Sequence, residues 1–153
     1  MEFYHENYKK QLKHLLDVIN DGKAGYKYAA QHVHSDYLRD LFHRFIQDRE
    51  EMAGELQAHI GSYAEDDDGG VKGAFHRAIM AIKTALTKDE KDDRVILESC
   101  REGDRAALDA FDDVLQGTIL ETELKPFLTG LRYRISQAFN EVDKLYFDGF
   151  EEK

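Results

Sequence analysis

Four long apolar stripes, each repeating at the interval of an α-helix, constrain this chain more than any other feature. Leu12, Ile19, Tyr26 and Val33 stand seven residues apart, with Leu15, Leu16, Gly22, Ala29 and Ala30 on the same face. A repeat at that interval keeps one side of a helix apolar, and it predicts a first helix over roughly 6–34. Ser35 is a favourable N-cap, followed by the acidic Asp36, and Leu38, Leu41, Phe42, Phe45, Met52, Leu56 and Ile60 carry a second helix ending near Gly61. Residues 64–70, rich in aspartate and glycine, have loop composition, and Val71, Phe75, Ile79, Ile82 and Leu86 then mark a shorter amphipathic helix. Thr87 and Glu90 read as a capping box. The third long helix that follows turns Ile96, Leu97, Cys100, Gly103, Ala107, Phe111 and Val114 inward and stops at Gly117. Leu124, Leu128, Leu131, Ile135, Ala138, Val142 and Leu145 form the last stripe, which tolerates Pro126, the only proline, in its first turn.

Four long helices on one core predict an all-α four-helix bundle, and the lengths of the connections choose its topology. The first and second helices, and the third and fourth, are joined tightly, so each pair is expected to be an antiparallel hairpin. Between the hairpins about 25 residues separate Gly61 from Thr87, far more than neighbouring bundle helices need. The amphipathic part of that connection, ~16 residues at ~1.5 Å each, reaches ~24 Å along a bundle. One long crossover between two hairpins, carrying an extra short helix, is the ferritin-like arrangement. With 153 residues, residues 1–153 are expected to form a single domain.

Composition removes several functions. The net charge of −10 argues against nucleic acid and anionic lipid as partners, because both demand a basic surface. No apolar run approaches the ~20 residues of a membrane span. The segment from Met1 to Glu6 lacks the basic and apolar regions of a signal peptide, and the lone Cys100 fits a reducing compartment, so a cytoplasmic location is expected. Cys100 lies on an inward stripe and reads as an inert core residue. No glycine-rich phosphate loop and no nucleophile elbow is present.

A ferritin-like bundle invites a search for paired metals, which are held by inward glutamates and two Glu-x-x-His motifs. Glu2 to His5 is stranded at the N-terminus, and Asp40 to His43 falls on the outer face of the second helix. Glu55 and His59, four apart, read as a surface contact. The polar residues that interrupt the stripes say more. Asp48 and Arg49 occupy the layer between Phe45 and Met52, and Arg134 stands beside Leu131 and Ile135. A guanidinium cannot ligate a metal and takes up carboxylates that a metal would use. The expectation is a partly buried ion-pair network of Arg49 and Arg134 with partners among Asp48, Asp104, Glu141 and Asp21. The alternative is that both arginines run out along the bundle edge with hydrated heads. Gly22 and Gly103 stand inside helices on the inward stripe, each at about 1 kcal/mol relative to alanine. Close approach of a neighbouring backbone, or of a ring such as Tyr26, is expected to account for them. The tyrosines are expected at core edges with their hydroxyls in water.

The motifs Asp21-Gly22-x-x-Gly25-Tyr26-x-x-Ala29-Ala30, Glu55-Leu56-Gln57, Gly73-x-x-His76-Arg77 and Ile96-Leu97-Glu98-x-Cys100-x-x-Gly103-Asp104 resemble a bacterial ferritin-like family catalogued as a domain of unknown function. The resemblance runs from about Leu12 to about Leu145 and implies a ferritin-like bundle of structural or stress-associated role. The chain departs from iron-handling ferritins and rubrerythrins where Asp48-Arg49-Glu50-Glu51-Met52 and Arg134-Ile135-Ser136-Gln137 replace Glu-x-x-His. The preferred reading is therefore non-enzymatic, without a cofactor, and a homo-oligomer, a dimer first, or a partner of another protein. The competing reading is a divergent di-metal oxidoreductase or metal-storage protein, with iron or manganese held by Glu51, Glu55, His59, Glu98, Glu102 and Asp104.

Overall fold

The computed structural model describes residues 2–61, 93–117 and 123–149, with side chains described from residue 9. These residues form four α-helices and no strand: α1 (Glu2–His32), α2 (Asp36–Ile60), α3 (Asp93–Gly117) and α4 (Leu124–Asp148). Ser35 caps α2, its hydroxyl accepting from the Leu38 amide at 3.1 Å while its backbone stays extended. Such a cap is worth about 1 kcal/mol. Arg39 reinforces the turn by donating to the Val33 carbonyl at 2.8 Å and pairing with Asp36. Gly61 closes α2 and Gly117 is the last residue of α3. Pro126 is the third residue of α4, where its missing N–H has no helical partner to lose.

The stripes bury as their spacing predicts, with α1 packed on α2 and α3, and α3 on α4. Two apolar clusters divide the core lengthwise. One joins Tyr26 of α1 and Val33 just beyond it, Leu38 and Phe42 of α2, Ile96 and Cys100 of α3, and Val142 of α4. The other joins Leu12 and Ile19 of α1, Met52 and Ile60 of α2, Phe111 and Val114 of α3, and Leu124 and Leu131 of α4. The end of α1 and the starts of α2 and α3 therefore share one end of the bundle with the end of α4. The helices run up, down, down, up. The end of α2 and the start of α3 lie at opposite ends, and residues 62–92, which join them, lie outside the described residues. The expected short helix at 71–86 and the capping box at Thr87 fall in that segment.

One inward assignment is corrected. Gly103 is exposed, and a methyl group built on it would meet nothing within 4 Å. The inward face of α3 runs through Cys100, Asp104, Leu108 and Phe111, which leaves Gly103 at its margin with no side chain to reach across. Asp104, one residue on, takes the inward place.

Candidate functional site

The middle of the bundle holds charge. Arg49 reaches inward from α2 and heads the fully buried side chains by residue volume among the described residues, with 1% of its surface exposed. Its Nη2 donates to Asp104 Oδ1 on α3 at 2.8 Å. The second oxygen of that carboxylate accepts the Tyr26 hydroxyl of α1 at 2.6 Å. The guanidinium carbon lies 5.4 Å from the Tyr26 ring centre, so the same ring gives Arg49 a cation–π contact. Phe42 and Phe45 also pack on Tyr26, their ring centres 5.3 and 5.1 Å away. Three helices thus contribute one residue each to a buried triad.

Gly22 makes the triad possible. A Cβ built there would stand 2.0 Å from Arg49 Nη1 and 3.3 Å from its Cζ. The close approach is that of a guanidinium, not of a backbone or of the Tyr26 ring. Nη1 itself has no hydrogen-bond partner among the described residues. Pressed against a helix backbone, it has no room for water on that side.

Burial and charge shift the groups in consistent directions. Burial first, and then the Asp104 charge, push the Tyr26 hydroxyl well above its ordinary range. The same two causes raise the Cys100 thiol, one turn before Asp104, which leaves it neutral and unreactive. Burial acts to lower Arg49, but Asp104 and Tyr26 outweigh it, and the guanidinium holds its proton more tightly than in water. Tyr26 and Arg49 therefore both keep their protons near neutral pH.

Arg134 lies elsewhere, on the flank of α4 that faces α2. It bonds Asp48, with Nε at 3.1 Å, and reaches Glu51 and Glu55 at 3.2 Å each. Asp48, Glu51 and Glu55 rise in one column on α2, so one guanidinium is shared by three carboxylates at a half-exposed seam. Below it His59 stacks on Phe127, ring centres 4.0 Å apart. Asp48 links the two groups in sequence, and its charge also bears on Arg49. The expected single network is thus two: a buried triad and a surface cluster.

The remaining expected members are placed as follows. Asp21 stands half-buried beside Gly22. Glu141 is exposed and joins neither group, a correction explained by its position: it lies seven residues along α4 from Arg134, about 10 Å away. Glu98 and Glu102 are exposed on the outer side of α3. Glu51 and Glu55 meet Arg134, His59 meets Phe127, and Asp104 lies inside with Arg49, so the alternative ligand set does not converge. Among the described residues no group of three or more His, Cys, Asp or Glu side chains is arranged to hold a metal ion. None of the described helices is long and apolar enough to cross a membrane.

Two contributors escaped the sequence reading. Tyr26 was expected to keep its hydroxyl in water, yet it is 2% exposed and bonded to Asp104. Its signal is a polar atom on an otherwise apolar stripe opposite a buried arginine. Asp93, in the first turn of α3, is buried and accepts the His34 amide at Oδ1 and the Ser35 amide at Oδ2, both at 2.8 Å. No spacing rule joins residues that far apart in the chain.

No curated protein and no solved structure matches this chain. Residues 7–117, which hold α1 from its second turn, α2 and α3 and so every member of the triad, match the family described as Domain of unknown function (DUF2383), and the chain belongs to that family.

Proposed function

We propose that this protein is a ferritin-like bundle that acts as a structural or stress-associated interaction protein rather than an enzyme, cytoplasmic and paired with a second copy or another protein. The observation that carries the reading is the Arg49 guanidinium, buried at mid-bundle on Asp104. Ferritin-like metalloproteins place their carboxylate-bound metals between the same four helices. Here a permanent cation fills that layer, its carboxylate is already committed, and a second cation brought beside it would meet unscreened repulsion. The up, down, down, up order of the helices supports the ferritin-like part of the reading. The charge of −10 keeps such a protein soluble and apart from nucleic acid.

The test is metal content after expression in iron- and manganese-supplemented medium, followed by anaerobic ferrous titration of the purified protein. The expected result is folded protein with metal far below one equivalent and no oxo-bridge absorption. Stoichiometric iron or manganese with an oxo-bridge band would overturn the reading in favour of a divergent di-metal oxidoreductase or metal-storage protein.

A further inference from the structure

The two hairpins can dock on each other in two ways. A half-turn of the α3–α4 hairpin, about an axis normal to the plane between the hairpins, leaves the same apolar faces buried and reverses the direction of α3. The result is the simple up, down, up, down bundle. The 31 residues of 62–92 are long enough for either connection, since an extended chain reaches ~3.3 Å per residue. Chain length therefore does not decide.

Most polar contacts do not decide either. The pairs Arg101–Asp143 and Arg132–Asp112 lie within the α3–α4 hairpin and travel with it. Asp104 stands eleven residues after the start of α3 and thirteen before its end. A half-turn therefore moves it by only ~3 Å along the bundle and sideways from α1 towards α2, the helix that carries Arg49, so the ion pair can re-form although the Tyr26 bond is lost. The Arg134 cluster is half-exposed, and such pairs contribute little. Asp93 differs from all of these. It is buried, it lies at the extreme end of α3, and both its oxygens hold consecutive backbone amides of the α1–α2 turn. A half-turn would carry it ~37 Å away, the length of α3, and strip two amides, the buried Ser35 one included, of their acceptor.

We propose that the Asp93 carboxylate, by holding the amides of His34 and Ser35, selects the direction in which the α3–α4 hairpin docks. A near-symmetric bundle needs an asymmetric contact at one end to choose between its two orientations, and a buried, fully satisfied polar contact is the strongest kind.

Spin labels test this in the full chain. Cysteines introduced as Lys27→Cys on α1 and Glu98→Cys on α3, with Cys100→Ala, place labels on exposed positions of two packed helices that are nearly level in the observed orientation. After a half-turn they would stand ~22 Å apart along the bundle. With Asp93 present, a single short distance is expected. With Asp93→Ala, a second and longer distance is expected in at least about one molecule in ten, a shift of tenfold or more in the ratio of the two orientations. Asp93→Asn keeps one acceptor oxygen and should fall between the two. A single short distance in a helical Asp93→Ala protein would overturn the proposal. Loss of helix in Asp93→Asn would also overturn it, because the contact would then be holding the bundle together and not choosing between two bundles.

Discussion

Replacing Gly22 with alanine should destabilise the protein, although the same substitution in an open helix position stabilises. The new Cβ would stand 2.0 Å from Arg49 Nη1, whereas a normal contact needs about 3.4 Å, so the guanidinium must retreat by more than an ångström. The tip of an arginine usually yields at little cost. This one does not, because it is 1% exposed and its Nη2 lies 2.8 Å from Asp104. A shift of that size breaks the bond and leaves two charges buried without each other, which costs about 3–5 kcal/mol. Alanine returns about 1 kcal/mol of helix propensity. The net expectation is a loss of about 2–4 kcal/mol, or a fall in Tm of roughly 4–16 °C for a domain of this size. Urea unfolding followed by circular dichroism measures it, with an unchanged m-value as the sign that the unfolded state is not responsible. Gly103→Ala is the control: that position is exposed and open, and alanine there should add about 0.5–1 kcal/mol. A Gly22→Ala protein as stable as its parent would refute the reasoning, since Arg49 would then have somewhere else to go.

The raised Tyr26 and Cys100 groups predict a stability that falls in alkali. The unfolded chain releases the Cys100 proton above about pH 9 and the Tyr26 proton above about pH 10 while the folded one keeps both, so each contribution is intact below its own onset and then declines by about 1.4 kcal/mol per pH unit. Urea titrations from pH 7.5 to 10.5 should show Tyr26→Phe and Cys100→Ala each flattening that decline, and equal slopes in all three proteins would count against it. Arg134→Ala should change stability by about 1 kcal/mol or less in 0.15 M salt, because its carboxylates are half-exposed and can rehydrate; a loss above 3 kcal/mol would mean that the seam is drier than its exposure indicates. Replacing the whole triad with Tyr26→Phe, Arg49→Met and Asp104→Leu should be neutral or stabilising by about 1–4 kcal/mol, whereas Asp104→Leu alone should cost about 3–5 kcal/mol by stranding Arg49. Thermal melts of the two variants side by side separate these outcomes.

The helices were legible because each carries an apolar residue at nearly every inward position, and a stripe reports its own angle. Arg49 was legible for the same reason, as a charge where an apolar residue belongs. Its partner was not. A stripe says which way a residue faces but not what meets it across the bundle, so Asp104, Glu141, Asp48 and Asp21 were equivalent until the helices were placed. Gly22 announced a close approach without naming its cause, since a missing side chain is silent about what fills the space. The same silence misled at Gly103, where the i±3 and i±4 spacing to Cys100 and Ala107 reads as inward but no neighbour lies over the backbone. Asp93 carried no sequence signal, because its partners are backbone amides, which every residue has.

The split of the triad between the hairpins has a consequence for assembly. Tyr26 and Arg49 belong to the α1–α2 hairpin and Asp104 to the other, so neither half can neutralise its own charge. If two α1–α2 hairpins from different chains paired by their apolar faces, each would present Arg49 to the other. Two guanidinium groups would be dehydrated face to face with no carboxylate between them, a repulsion that buried apolar area does not offset. The buried arginine thus acts as a lock that only an α3–α4 hairpin can open, and it disfavours the pairing of one α1–α2 hairpin with another.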